Sequence, residues 1–259
     1  PDIHSTTWEW DNVCPASQWK HSHNEIHHQW TNIDGIDHDL GYQAFRVQDA
    51  QRHRSFHRHQ PLMALGLALV FEYGIALHDV EGLGLFDSGS YDPDVAQPKL
   101  GESFDKMRSQ ALKDFAAFPA LSLIPFGPAG AAAAAAGAVA SNVIRNVWAF
   151  GVIFCGHFPD DVAMFPPEAA EDQRRGAWYL RQILGSANFS GGPVMHLLTG
   201  NLDHQIEHHL FPDRPSNRYA EIAPRVRDVC GRHGIRYNPG SFRRQLTSVA
   251  RKIWRLRKP

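Results

Sequence analysis

Polar and apolar positions are strongly segregated along this chain. Residues 61–77 are apolar except for Glu72, and residues 115–158 form a second apolar run broken only near Ser141, Asn142, Arg145 and Asn146. A bilayer crossing needs roughly 20 mostly apolar residues, so both runs are expected to cross a membrane, the first from 61 to about 85. The competing reading is a pair of buried core helices, since Glu72 and Arg145 are costly against lipid and acceptable against protein. The second run is longer than one crossing requires and is expected to continue as helix beyond the bilayer; its alanine stretch at 131–136 favours that conformation.

Two basic segments frame these runs. Arg52, Arg54 and Arg58 precede the first, marking its cytoplasmic end. Near the other terminus Phe242, Leu246, Val249, Ile253 and Leu256 recur at helical spacing among Arg243, Arg244, Arg251, Lys252, Arg255, Arg257 and Lys258. That pattern predicts an amphipathic helix lying on anionic lipid, with a partner-binding tail as the less favoured reading. With both segments on one side, two crossings lie between them. The expected architecture is all-α: a helical integral membrane protein with a cytoplasmic helical metal-binding cap. Its parts are 1–60, membrane helices at 61–158, and 159–259 ending in the basic interfacial helix.

Composition adds one anomaly. The 259 residues carry a formal charge of -1, which gives no reason to expect a nucleic-acid partner. Sixteen histidines stand against three cysteines, and Cys14, Cys155 and Cys230 form neither a CxxC pair nor a disulfide framework. The histidines cluster. Pro193 can open a helix that only Gly200 interrupts before Leu210, so Gln205, His208 and His209 share a face at i, i+3 and i+4. Upstream, His21, His23, His27 and His28 repeat the arrangement of a single histidine followed by a pair. One such pair competes evenly with a solvated polar face; two clusters favour metal ligation.

His157, in Phe154-Cys155-Gly156-His157-Phe158-Pro159, returns to the side of both clusters and joins them as a candidate ligand. His196 reads as structural or as a partner to a ligand, and His4, His38, His78 and His233 carry no assigned role. Asp34, Asp37 and Asp39 either orient imidazoles or belong to a solvated loop, the loop being favoured. His23, His27, His28, His157, Gln205, His208 and His209 exceed what one tetrahedral ion uses, so two metals are expected. Paired redox metals held by imidazole suit O2-dependent attack on an unactivated C–H bond. The soluble di-iron bundle needs Glu-x-x-His on two helices, and only Glu25 to His28 has that spacing.

The segments HSHNEIHHQWTN, FCGHFPDD and GNLDHQIEHHLFP resemble the membrane fatty acid desaturase family, and IHSTTWEWD with TNIDGIDHDLGY most resemble its actinobacterial acyl-CoA branch. The resemblance runs over nearly the whole chain. It implies a cytoplasmic di-iron site that uses O2 and two electrons to desaturate a fatty acyl chain, and a separate reductase or ferredoxin-type electron donor. It implies His23, His27 and His28 as ligands from the second histidine box and His208 and His209 from the third. His157 matches an additional family histidine, and Gln205 stands where many members have histidine. The family's first box is expected ahead of the WEWD region, before Pro1, so residues 1–259 alone are expected neither to complete the site nor to desaturate lipid. A membrane hydroxylase of the same box type and a non-catalytic metal-binding or transport protein are the competing readings.

Overall fold

In the computed structural model the described residues are 9–81, 83, 91–171 and 174–259, with the Gln43 side chain left aside. His4, Trp8 and the end of the first expected crossing, near Leu85, fall outside them. Helix dominates. The chain divides into two compact units, one of Pro1–His21 with Leu65–Trp148, the other of Ser22–Ala64 with Ala149–Pro259.

Leading into the first unit, α2 (Gln60–Leu69) gives way at Val70 to α3 (Phe71–His78). The expected straight crossing from 61 to about 85 is thereby replaced by a pair bent by 101°. Val70 leaves helical geometry (φ -129°, ψ 33°). Just past it Glu72 is held by polar partners, its N–H donating to Asn146 Oδ1 and its carboxylate accepting from Arg145 at 2.5 Å. The two charged residues that interrupt the apolar runs thus neutralise each other, the cheapest arrangement for charges in an apolar setting.

The second run belongs to a longer helical stretch. Helix α4 (Pro93–Leu112) passes through a π-helical turn, Lys113–Ala117, into α5 (Phe118–His157). The stretch Pro93–His157 is long and apolar enough to cross a membrane, and none of its most apolar window is buried. Ile124 is 84% exposed and Phe126 73%. At Gly127 (φ 65°), between Pro125 and Pro128, α5 kinks, as a helix does where proline removes a donor and glycine adopts left-handed backbone.

The second unit holds the C-terminal turns of α5 and most of α1, residues 16–30, whose middle, Lys20–His27, is wound as a π-helix. It continues with α6 (Arg175–Leu184), β1 (Asn188–Ser190), α7 (Gly192–Thr199), α8 (Gln205–Leu210), α9 (Tyr219–Arg232), β2 (Pro239–Ser241) and α10 (Phe242–Arg255). β1 and β2 pair in parallel, Phe189 opposite Gly240. Ile183 of α6, Ile206 and Leu210 of α8, and Val226 and Cys230 of α9 form one apolar core.

Two expectations change here. The helix expected over 194–210 is two helices, because Gly200 (φ 61°) and Asn201 (φ 68°) turn left-handed and Thr199 Oγ1 donates to Asp203 Oδ1 across the turn. Most of the apolar stripe of α10 packs inward and is closed to lipid: Val249, Ile253 and Leu256 are buried and Phe242 meets Phe189, while Leu246 stays exposed. Lys252, counted among the surface charges, is buried with its ammonium donating to the Pro159 carbonyl at 3.1 Å.

Candidate metal centre

Three elements of the second unit supply the site. In α1 the π-helical ladder turns more slowly per residue than an α-helix, so residues four and five further on both come round to the face of His23. His27 stacks on His23 with ring centroids 5.1 Å apart, and His28 meets it edge-on at 4.9 Å. In α8, short and packed by Ile206 and Leu210, the adjacent His208 and His209 diverge at 80°. The last residue of α5 is His157.

The imidazoles converge in two groups of three: His23 with His28 and His208, and His27 with His157 and His209. Within each group one nitrogen from every ring lies within 4.8 Å of the others. His28 Nε2 is 3.1 Å from His208 Nε2, and His209 Nε2 is 3.4 Å from His157 Nε2. The Gln205 amide reaches His157 Nε2 at 2.9 Å, which puts it at the edge of the second group. All seven residues expected from the sequence therefore meet in one place. His204 and His196 do not join them; both turn to the buried Asp203, whose Oδ2 is 2.6 Å from His196 Nδ1.

Outer partners fix which nitrogen faces inward. Asp37 takes His27 Nδ1 on both carboxylate oxygens, at 3.0 and 2.9 Å, and Asp39 lies 3.4 Å from His23 Nδ1. Asp37 is thus a buried partner to a ring, not part of the solvated loop expected there. The Tyr219 hydroxyl, whose proton goes to the Arg214 carbonyl, accepts from His208 Nδ1 at 3.3 Å. On α6, Gln182 lies 3.1 Å from His209 Nδ1. Each group thus contains one imidazole from α1 backed by a carboxylate and one from α8 backed by a neutral oxygen. Asp37 and Asp39 are visible in the sequence as the DGIDHD run; Gln182 and Tyr219 carry no sequence signal.

Burial holds most of these rings neutral, the state in which imidazole binds metal. It lowers His23 and His209, the latter well below the ordinary value, and takes His208 to about 3, helped by the charges of His23 and His27. His28 is likewise well below, from burial and then from His208. His27 is the exception: burial pulls it down, but Asp37 and Asp39 outweigh that and raise it to about 9. His27 Nε2, His28 Nδ1 and His157 Nδ1 are buried without a hydrogen-bond partner among the described residues. Unpartnered buried nitrogens are costly, and facing Nε2 pairs can share at most one proton between two lone pairs. A cation in each group would take the facing Nε2 lone pairs together with the orphaned His27 Nε2, so this donor set fits metal; His28 Nδ1 and His157 Nδ1 lie on the far sides of their rings.

A family model described as fatty acid desaturase matches residues 7–241. The chain is 45% identical over its whole length to NADPH-dependent stearoyl-CoA 9-desaturase from Mycobacterium tuberculosis (strain ATCC 25618 / H37Rv), covering 60% of that protein. It is 26% identical, over 85% of its length and 60% of the relative's, to sn-1 linoleoyl-lipid 6-desaturase from Synechocystis sp.. Human Fatty acid desaturase 3 is 27% identical over 44% of the chain and 24% of the relative. The chain thus spans about 60% of the length of the first two of these curated relatives. No solved structure matches it.

Proposed function

The chain belongs to the fatty acid desaturase family, and on that premise we propose that it carries a di-iron site for the O2-dependent desaturation of a fatty acyl chain. The observation that carries this reading is the convergence of six imidazoles, four buried and two half-buried, in two groups of three. His23, His28 and His208 would hold one iron and His27, His157 and His209 the other, with the Gln205 amide at the edge of the second group beside His157. Bound there, the metal pair would supply the oxidising power that removal of hydrogen from an unactivated C–H bond demands.

The chain's own residues set the stage for that chemistry. Asp37 and Asp39 hold the Nδ1 protons of His27 and His23, so both rings present Nε2 inward and gain basicity as ligands. Tyr219 does the same for His208 without adding charge. Burial keeps bulk water and protons from the other imidazoles, so no ring other than His27 needs to shed a proton when a cation enters.

A saturated fatty acyl-CoA is the substrate class favoured by the mycobacterial relative, whose name gives stearoyl-CoA and NADPH. The family resemblance favours a separate reductase or ferredoxin-type protein as the source of the electrons. The apolar stretch ending at His157 supports a membrane location, and the same resemblance favours a site on the cytoplasmic side within a single desaturase domain. The test is to express the gene product in full with an electron-donor system and resolve acyl products by mass spectrometry. A monounsaturated product that vanishes in His28→Ala is expected. An alcohol would assign a hydroxylase, and metal binding without O2 consumption a non-catalytic protein.

A further inference from the structure

Gln182 is completely buried on α6, outside both histidine boxes, and its amide touches both of them. Its Nε2 donates to the His28 carbonyl at 3.2 Å. Its Oε1 lies 3.1 Å from His209 Nδ1 and 2.8 Å from the Thr31 hydroxyl. A carbonyl can only accept, so the amide nitrogen has to face His28 and the oxygen has to face His209. An amide oxygen also only accepts. His209 therefore carries its proton on Nδ1, and the lone pair of its Nε2 is turned toward His157.

Resting on the two-metal reading above, we propose that Gln182 is a positioning residue for the metal ligand His209, fixing its tautomer and tying the third box to the second through one side chain. The contact to the His28 carbonyl is shared with the Trp178 indole N–H, four residues earlier on the same helix face, at 3.3 Å. Thr31 is itself buried at the end of α1, with Oγ1 2.7 Å from the His27 carbonyl. The amide thus meets the backbone at His28 and the side chain at Thr31 of the second box, and the ring it holds belongs to the third. Being neutral, it orients His209 without the added basicity that Asp37 gives His27 in the same group. The two sides of that group are therefore unequal by construction.

The test loads the full gene product with ferrous iron alone and follows iron per chain, release to a ferrous chelator and the Mössbauer spectrum. Gln182→Leu removes both contacts at similar volume, and Gln182→Glu keeps the acceptor toward His209. The Leu variant is expected to lose iron 10- to 100-fold faster, with the spectrum of one iron altered, the size typical of losing a partner behind a metal-bound histidine. The Glu variant is expected to restore slow release. Should the Leu variant not fold, Gln182→Asn, whose amide is withdrawn by one methylene, is expected to show the same loss. Wild-type release and spectra in a folded Leu or Asn variant would overturn the role. Failure of the wild-type protein to hold two irons would instead defeat the underlying two-metal reading.

Discussion

At the scale of single residues, the centre depends on what stands behind each imidazole. Replacing Asp37 with Asn leaves the shape nearly unchanged but removes the larger of the two charges that raise His27 to about 9. Metal affinity is expected to fall 10- to 100-fold, measured by competition with a chelator. Lys252 offers a test free of metal. Burial outweighs the pull of Asp160, Asp49 and Asp161 and lowers its ammonium from 10.5 to about 8. Between those values the unfolded chain holds a proton that the folded chain has lost, so stability rises with pH across that window. The slope is on the order of 1.4 kcal/mol per pH unit at most. Melting of the detergent-solubilised protein from pH 8 to 10.5 should show the rise, and Lys252→Met should lack it. The histidines are legible in the sequence because metal chemistry confines them to a few residue types at fixed spacing. Gln182 is not, since one glutamine in Arg175–Leu184 reads as a surface residue until its helix is seen packed behind both boxes.

At the scale of elements, helix type and helix ends do the positioning. The sequence predicts a turn of helix at the second box, but an α-helical ladder would carry His28 away from the face of His23; π-winding brings it back. Local spacing does not reveal that winding, which depends on what packs around α1. The left-handed pair Gly200 and Asn201 is half visible, in the glycine, while its consequence, the independent start of α8, is tertiary. Close approach matters where α5 meets α8. A Cβ added to Gly156 would lie 2.8 Å from Gln205 Cγ and 3.1 Å from its Cδ, within the body of a buried side chain. Gly156→Ala is expected to push the amide off His157, to cost about 1–3 kcal/mol in stability, and to weaken metal retention. Thermal melting and metal analysis of the purified variant check both effects.

At the scale of the whole molecule, the apolar runs and the histidine clusters together account for a helical protein of the fatty acid desaturase family. Both features are legible in the sequence because segregation by polarity and ligand chemistry act on composition directly. The bend at Val70 and the inward stripe of α10 are not, since each depends on partners distant in the chain: Asn146 and Arg145 for the first, Phe189 and the Pro159 carbonyl for the second. The claim on which the rest stands is that two separate groups of imidazoles each hold a metal. Iron counted per chain in the full gene product, beside His28→Ala and His209→Ala, tests it most directly. Two irons in nitrogen-rich coordination, with loss of iron in either variant, is the predicted result; a single iron, or two that persist in both variants, would contradict it.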